Sequence, residues 1–482
     1  MKQRLVTPEN KQWWTLAAVA IGLFMIMLDN TVVNVALPAM RRSLGLSLSQ
    51  LEWIVAGYAL TFAAFMLTGG KLADLLGRRL IFMVGLAVFT LSSLACGLAD
   101  SASVLIGARV VQGLGGALMN PATLSIIAAT FPPKQRGTAI GIWAGVSAMA
   151  LAIGPLVGGL LTEHANWSWI FFINVPIGVI ALFAVPVLVD ESRDTSHEQR
   201  PDLPGLAASA VGLFALTYAF IEANNYGWTS TRIIGAFAIA AVGLASFVVL
   251  ESRQRLPMLD LSLFRNRTFT GANTAMLFAG LAMFGTFFYV SLYMQNVLRY
   301  SPVQTGASFL PMTVLIILLA PRTGKLADRF GSRWLVGPGM TLLAVMLFYY
   351  SRLGAHESFY TLLPGLLIGG VGMAMTMTPT TAAAMSSVPV DKAGVGSAVL
   401  NSMRQVGGSL GIAVMGAIVA SGVAASTRAG NPGTAAFLHG FHDALRVGSI
   451  IALAGAVIAT SAIRKPVHRH APAAGAEAVE VL

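Results

Sequence analysis

The chain has 482 residues and a formal net charge of +11 at pH 7, yet only 11% of its residues are charged and 56% are hydrophobic. Soluble globular proteins have about 25% charged residues, so this composition excludes a water-soluble fold, and a mean hydropathy of +0.73 indicates a polytopic helical membrane protein. The single cysteine, Cys96, excludes a disulfide framework and a metal cluster built from cysteines.

Fourteen apolar runs are each long enough to cross a hydrocarbon core of about 30 Å as a helix. The predicted spans, numbered 1 to 14, are 13–37, 51–69, 80–99, 102–130, 138–162, 167–189, 203–221, 232–250, 270–296, 303–321, 335–351, 360–386, 395–421 and 441–463. With a cytoplasmic N-terminus, cytoplasmic segments hold 22 of the 31 Lys and Arg residues, and the opposite segments hold 7 when Arg232 and Arg446, near the outer ends of spans 8 and 14, are included. This asymmetry follows the positive-inside rule. We therefore expect both termini in the cytoplasm, and we attribute the basic excess to topology rather than to nucleic-acid binding.

Span 1 contains an acidic residue, Asp29, in the stretch LFMIMLDNTVVNVALP at 23–38. Asp29 is the only acid placed well inside a span, because Glu52, Glu163, Glu222 and Asp443 all fall near span ends. A carboxylate at membrane depth is costly and is a candidate functional group by default. It can bind and release a proton, or it can be a structural residue that accepts hydrogen bonds.

If Asp29 is a structural residue, possible hydrogen-bond donors to its carboxylate lie nearby in span 1. Asn30, Thr31 and Asn34 follow Asp29 within the next turns and can each donate a hydrogen bond. We keep both interpretations open, and they can hold together.

Two loops repeat each other, GKLADLLGRRL at 70–80 and GKLADRFGSRW at 324–334, with seven of eleven positions identical. The first joins spans 2 and 3 and the second joins spans 10 and 11, so eight spans separate them. We therefore predict two six-span halves with an extra hairpin, spans 7 and 8, between them, an arrangement typical of transporters. The loop residues that permit turns, cap helices or pair with each other are Gly70, Asp74, Gly77, Arg78, Arg79 and, in the second copy, Asp328.

Spans 4 and 5 carry the next candidate residues. In RVVQGLGGALMNP, 109–121, Arg109 lies within the membrane and Gln112 is on the neighbouring turn. In GIWAGVSAMALAIGPLVGGLL, 141–161, glycines at four-residue spacing predict close helix packing. The residues expected to pack there are Gly145, Gly154, Pro155, Gly158 and Gly159.

The secondary candidates are Glu222, Arg404, Gln112 and Asn34. Glu222 ends span 7, where an exposed rim is the plainer interpretation, and Arg404 in NSMRQVGGSLG is the second arginine within a span. Arg404 is either structural or lines a cavity. The cluster HGFHD, with His439, His442 and Asp443, is interpreted as a solvated surface group, and no metal is expected.

These motifs, in this order, resemble the major facilitator superfamily and, within it, the fourteen-span drug/proton antiporters. WSWIFFINVPIG at 167–178 further supports that branch, and the resemblance covers roughly residues 10 to 465. It implies that Arg109 acts with Asp29 in proton coupling and that the span-5 motif accompanies export. It also implies that the 70–80 loop is a cytoplasmic gate, for which simple anchoring by positive charge is the alternative.

The predicted fold is therefore an all-α major facilitator fold with two six-helix bundles and two extra central helices. We expect an N-terminal bundle at 1–200, an inserted hairpin and linker at 201–262, a C-terminal bundle at 263–465 and a disordered cytoplasmic tail at 466–482. No phosphate-binding G-x-x-x-x-G-K-[ST] loop is present, which argues against an ATP-driven pump. All seven histidines fall in loops, tails or span ends, which argues against an enzyme.

The function predicted is proton-coupled export of amphipathic toxic small molecules across the bacterial cytoplasmic membrane, with no cofactor. The alternative is a dedicated exporter of one endogenous metabolite, lipid or siderophore by the same mechanism. We expect a monomer in the lipid bilayer with protons and amphipathic compounds as its ligands. The motifs do not report on a periplasmic adaptor.

Overall fold

The computed structural model describes residues 7, 10–193, 202–254, 257–389 and 392–464, and these residues form sixteen α-helices. The first seven are α1 Lys11–Leu44, α2 Leu48–Leu76, α3 Arg78–Gly97, α4 Ala102–Thr130, α5 Pro133–His164, α6 Trp169–Phe172 and α7 Asn174–Leu188. Two more, α8 Leu203–Tyr226 and α9 Thr231–Arg253, form a hairpin. The last seven are α10 Arg267–Asn296, α11 Pro302–Ser308, α12 Leu310–Phe330, α13 Arg333–Tyr350, α14 Phe359–Ser386, α15 Ala393–Arg428 and α16 Thr434–Ala462.

Every predicted span has its helix or helix pair in this order. Spans 6 and 10 are each broken in two, at Ile173 and Phe309, shortly before Pro176 and Pro311. Proline lacks the backbone N–H of a helical hydrogen bond and collides with the preceding turn, which explains both breaks. The predicted disordered tail lies outside the described residues, and the predicted domain boundaries stay predictions.

Thirteen of these helices or helix pairs, among the described residues, are long and apolar enough to cross a membrane. The remaining predicted span corresponds to α13, which has 18 residues and packs between α14 and α16. The prediction of an all-α, multi-pass membrane protein is confirmed.

The packing places α8 and α9 beside both halves. In the first half α4 packs on α2 and α3, and α1 packs on α5; in the second half α10 packs on α15, and α13 on α14 and α16. The α8 helix contacts α2 of the first half and α15 of the second. We call the end of the bundle that carries Lys11 the base, and the end that carries Gly45, where α1 stops in a left-handed conformation (φ +65°), the top.

The two halves are closed against each other at the top. Ser291 Oγ donates to the Asn34 carbonyl at 3.0 Å, and Gln295 Nε2 donates to the Val35 carbonyl at 2.8 Å. On the other side of the interface, the Val303 N–H donates to Glu163 Oε2 at 2.9 Å. One apolar cluster spans both halves at the top, whereas at the base each half has a cluster largely of its own. The structure is therefore a top-closed state.

Candidate functional site

The centre of the first half contains a buried ion pair. Asp29, in the middle of α1, is 0% exposed, and Arg109 of α4 is 1% exposed. Arg109 Nη1 donates to Asp29 Oδ2 at 2.5 Å, although the two residues are 80 positions apart in the sequence. The structure thus brings together the two residues that the sequence put forward for proton coupling.

Gln112 is the third member of this group. Its Nε2 donates to Asp29 Oδ1 at 3.1 Å, and its Oε1 accepts from Arg109 Nη1 at 2.7 Å. Both carboxylate oxygens of Asp29 therefore have a donor. Gln112 Nε2 also lies 3.3 Å from Ser93 Oγ, and Ser93 in turn accepts from Asn174 Nδ2 at 3.1 Å, which extends the network to α3 and α7.

The Arg109 guanidinium is held on two further sides. Its Nε donates to the Ile54 carbonyl of α2 at 3.1 Å. Its central carbon lies 4.3 Å from the centre of the Tyr58 ring and 5.6 Å from that of Phe171, within the range of cation–π attraction. These contacts hold the arginine independently of its bond to Asp29.

The local donors proposed for a structural Asp29 are used elsewhere. Asn30 Nδ2 donates to the Ile26 carbonyl at 2.8 Å, Thr31 Oγ1 to the Leu28 carbonyl at 3.2 Å, and Asn34 Nδ2 to the Asn30 carbonyl at 3.3 Å. These bonds run back along α1 itself. The carboxylate is therefore satisfied by α4, and the expectation that its own helix satisfies it is wrong for the described structure.

This arrangement couples proton binding to the packing of α1 on α4. A buried charge is costly unless it is paired, and removing one partner leaves the other uncompensated. Protonation of Asp29 removes its negative charge and one acceptor, so Arg109 loses its counterion. The site can therefore change its interhelical electrostatics by a single proton.

The 70–80 loop, between α2 and α3, forms most of its contacts with other residues of the first half. Gly77 (φ +127°) makes the turn between α2 and α3, and Asp74 Oδ1 accepts from Arg78 Nε at 2.8 Å. The Glu191 carboxylate accepts the N–H groups of Arg79 and Leu80 at 3.0 and 3.1 Å. Gly70 packs against Pro121 of α4. This loop thus rests on residues after α7, a contact that the sequence did not indicate.

One contact from this loop reaches across at the base. Lys71 Nζ donates to the Pro257 carbonyl at 2.7 Å, in the segment between α9 and α10. In the repeat loop, Asp328 is exposed. The gate role of both loops stays a prediction.

The span-5 glycines divide into two groups along α5. Gly154 packs against Thr31, and Gly158 against the Val32 carbonyl, so this part of α5 lies directly on α1. Gly159 packs on Pro302, and the Pro155 carbonyl packs on Gly306, which joins α5 to α11 near the top.

Gly145 behaves differently from the expectation. Among the described residues, no atom from outside the local turn of α5 lies within 4 Å of a Cβ added there or at Gly141. The predicted close packing at Gly145 is therefore wrong for this state, because the face of α5 that carries Gly141 and Gly145 is exposed, although Trp143 of the same helix bonds Thr123 of α4.

Of the secondary candidates, Gln112 belongs to the Asp29 network, whereas Glu222 and Arg404 lie outside it, as does the HGFHD cluster. Glu222 is partly buried near the top and accepts from Trp53 Nε1 at 3.2 Å and Asn225 Nδ2 at 2.8 Å. Arg404 lies in α15, and its Nε has no hydrogen-bond partner within the described part of the chain. In the HGFHD cluster, His439 lies 3.4 Å from Asp443, while His442 bonds the Leu353 carbonyl at 2.7 Å.

Sequence reasoning missed two groups. Tyr58 and Ser93 complete the surroundings of Asp29 and Arg109, and nothing in their local sequence distinguishes them from core residues. Glu52 was set aside because it is near a span end, yet it is only 2% exposed, since α8 and α15 pack on α2 and Tyr289 of α10 contacts the carboxyl group. Nearness to a span end therefore did not imply exposure.

Comparison with known proteins adds independent information. A sequence model of the Major Facilitator Superfamily matches residues 19–412. The tetracenomycin C resistance and export protein of Streptomyces glaucescens is 39% identical over 414 residues, which cover 86% of this chain and 77% of that protein. The multidrug resistance protein Stp of Mycobacterium tuberculosis is 39% identical over 418 residues, covering 86% and 77%.

The fold is also similar to that of a solved transporter. An auto-inhibited peptide transporter of the POT family superposes with a TM-score of 0.68 at 16% identity, covering 96% of this chain and 99% of that one. At this identity the likeness concerns the fold alone.

Proposed function

Because the chain belongs to the major facilitator superfamily, we propose that it is a proton-coupled exporter of amphipathic toxic small molecules that works by alternating access. The observation that carries this proposal is the buried Asp29–Arg109 pair with Gln112 bonded to both partners. Two relatives named for drug resistance, each 39% identical over most of the chain, support export as the direction.

The proposed cycle uses the group around Asp29 as the point where proton and substrate are exchanged. Substrate binding from the cytoplasm favours release of the proton, after which the ionised Asp29 pairs with Arg109, as in the top-closed structure. Opening of the top then releases the substrate, and Asp29 takes up a proton from outside, which returns it to the protonated form. The base corresponds to the cytoplasmic side of the bacterial inner membrane in this scheme, so the top-closed structure is closed toward the outside.

A second candidate is a dedicated exporter of one compound, because the name of one relative specifies a single substance, tetracenomycin C. The same mechanism would serve it. The two candidates differ in substrate breadth and not in the coupling site.

An efflux assay tests the proposal and separates these candidates. Cells that lack their other drug pumps and express this protein should exclude several unrelated cationic or neutral amphipathic dyes and antibiotics, and a protonophore should abolish the exclusion. Exclusion of one compound only would favour the dedicated exporter. Export that persists after the proton gradient collapses, with ATP still present, would contradict proton coupling.

The topology predicts a cytoplasmic C-terminus and a cytoplasmic loop at 190–202. Fluorescent-protein fusions at both places should be fluorescent, and alkaline phosphatase fusions there should be inactive, because the base carries most of the Lys and Arg residues. An active phosphatase fusion at the C-terminus would contradict the proposed orientation.

A further inference from the structure

A second carboxyl group is buried where the two halves meet at the top. Glu52 of α2 is 2% exposed, and Tyr289 of α10 is 0% exposed. Tyr289 Oη lies 2.9 Å from Glu52 Oε1, so a hydrogen bond joins the first half to the second. Gly416 of α15 makes room for the pair, since a Cβ there would overlap both the carboxylate and the hydroxyl. The contact is thus enclosed by three helices.

No cation neutralises Glu52 within the described ranges. No Lys, Arg or His forms an ion pair with its carboxyl group. The charged residue that interacts with it is Glu222 of α8, which carries the same sign of charge. From α4, Arg109 faces this part of α2, but it is engaged by Asp29 and by the Ile54 carbonyl.

Among the described residues, the other helices that pack on α2 bring no counterion into contact with Glu52. The basic residues of α3, Arg78 and Arg79, lie at the base, and so does Lys71 of α2 itself. Arg404 of α15 is about three turns from Gly416 toward the base. From α1, Arg41 and Arg42 of the last turn lie near this level, but both are exposed and neither forms an ion pair with Glu52 in the described structure.

The hydrogen-bond geometry favours a protonated carboxyl group. Tyr289 Oη lies near two acceptors, Glu52 Oε1 at 2.9 Å and the Ile412 carbonyl at 3.3 Å, but a tyrosine hydroxyl has one proton to donate. If Glu52 carries a proton, it donates to Tyr289 Oη, and Tyr289 donates to Ile412. If Glu52 is ionised, a charge is buried with one hydroxyl donor, which is costly.

We propose that Glu52 is a second proton-binding site, which holds a proton while the top is closed and releases it to the outer solution when the top opens. Opening separates Glu52 from Tyr289 and admits water, which stabilises the carboxylate. By linkage, a group that binds its proton more tightly in one state shifts the equilibrium toward that state as the pH falls. Acid on the outer side therefore favours closure of the top. The proposal rests on the alternating access inferred above.

A distance measurement between spin labels tests this linkage. Labels at Ser43→Cys and His356→Cys, exposed at the top of the two halves, report opening in purified full-length protein in lipid nanodiscs. The Asp29→Asn background removes the other buried carboxyl of the site. In that background the closed-to-open ratio should still rise as pH falls, by at most about tenfold per pH unit for one proton. Adding Glu52→Gln, a neutral mimic of the protonated acid, should hold the top closed at every pH.

Glu163→Gln is the matched control, because Glu163 also joins the halves at the top but is exposed. Its pH profile should follow that of the Asp29→Asn background. An unchanged pH dependence after Glu52→Gln, or a top that opens in that variant, would overturn the proposal.

A second variant covers the case in which Glu52→Gln does not fold. Tyr289→Phe keeps the ring and removes the hydroxyl, so closure should require a lower pH, and pH-difference infrared spectra should show a shifted carboxylic acid band. The same closed fraction and the same band in Tyr289→Phe would contradict the role of this contact. Export by the wild-type protein that persists after the proton gradient collapses would instead contradict the proposed function and leave the Glu52 titration unaffected.

Discussion

Asp29→Asn is expected to abolish transport against a gradient while leaving a folded protein that still exchanges substrate. Asparagine has nearly the shape of aspartate, and its one carbonyl oxygen can still accept from Arg109, but it cannot take up or release a proton. Purified protein in liposomes should therefore accumulate no substrate in response to a pH difference. Exchange of labelled for unlabelled substrate, which needs no net proton movement, should persist.

Asp443→Asn is the matched control for this variant. Asp443 lies in α16 in an exposed pair with Arg446, at 3.2 Å, and its loss should leave pumping unchanged. If Asp29→Asn still pumps when given a pH difference, Asp29 is structural and the proton moves elsewhere.

The free energy of the proton gradient limits the substrate gradient that the transporter can maintain. A membrane potential of about 150 mV supplies roughly 3.5 kcal/mol per charge moved, from about 2.3 kcal/mol per 100 mV. One proton exchanged for one neutral molecule therefore supports a gradient of roughly 300-fold, since about 1.4 kcal/mol corresponds to tenfold. One proton exchanged for one monovalent cation moves no net charge and is driven by the pH difference alone.

Arg109→Gln is expected to have a comparable effect on transport and a larger one on stability. The change removes the counterion of Asp29 and the donor to the Ile54 carbonyl, and breaking a buried pair in this way costs about 3–5 kcal/mol. The thermal midpoint of the purified protein should fall, and it should fall further as the pH rises, because an unpaired Asp29 is tolerated best when protonated. Pumping should be lost.

The double variant Asp29→Asn/Arg109→Gln separates stability from coupling. Removing both charges leaves neutral polar groups, so the thermal midpoint should recover most of its loss and its pH dependence, while pumping stays absent. Arg446→Gln, at the exposed pair with Asp443, is the control and should change neither property. A double variant no more stable than Arg109→Gln alone would show that the pair is not the source of the loss.

The fold followed closely from the sequence because spanning a bilayer requires long apolar helices whatever their packing. Hydropathy gave all fourteen spans in order, and prolines 176 and 311 account for the two broken ones. Span 11 is the one that hydropathy supports least, because α13 has only 18 residues and contains Pro338.

The site was predictable only in part. Asp29 is conspicuous because it is an acid in an apolar run, and Arg109 was linked to it by family resemblance. Glu52 and Glu191 could not be placed, because their burial and partners depend on which helices cover them. The packing at Gly145 likewise depends on the state of the transporter, because glycine spacing predicts close helix packing but does not indicate the conformation in which the two helices are in contact.

The most direct test of the central claim is the release of protons from the purified, unlabelled protein when substrate is added in weakly buffered detergent solution. The wild-type protein should release protons on binding a transported compound near neutral pH, because substrate favours the ionised Asp29 paired with Arg109. Asp29→Asn should bind the same compound and lose that release, while Asp443→Asn should release as the wild type does. Undiminished release from Asp29→Asn would contradict the assignment of Asp29 as the proton carrier.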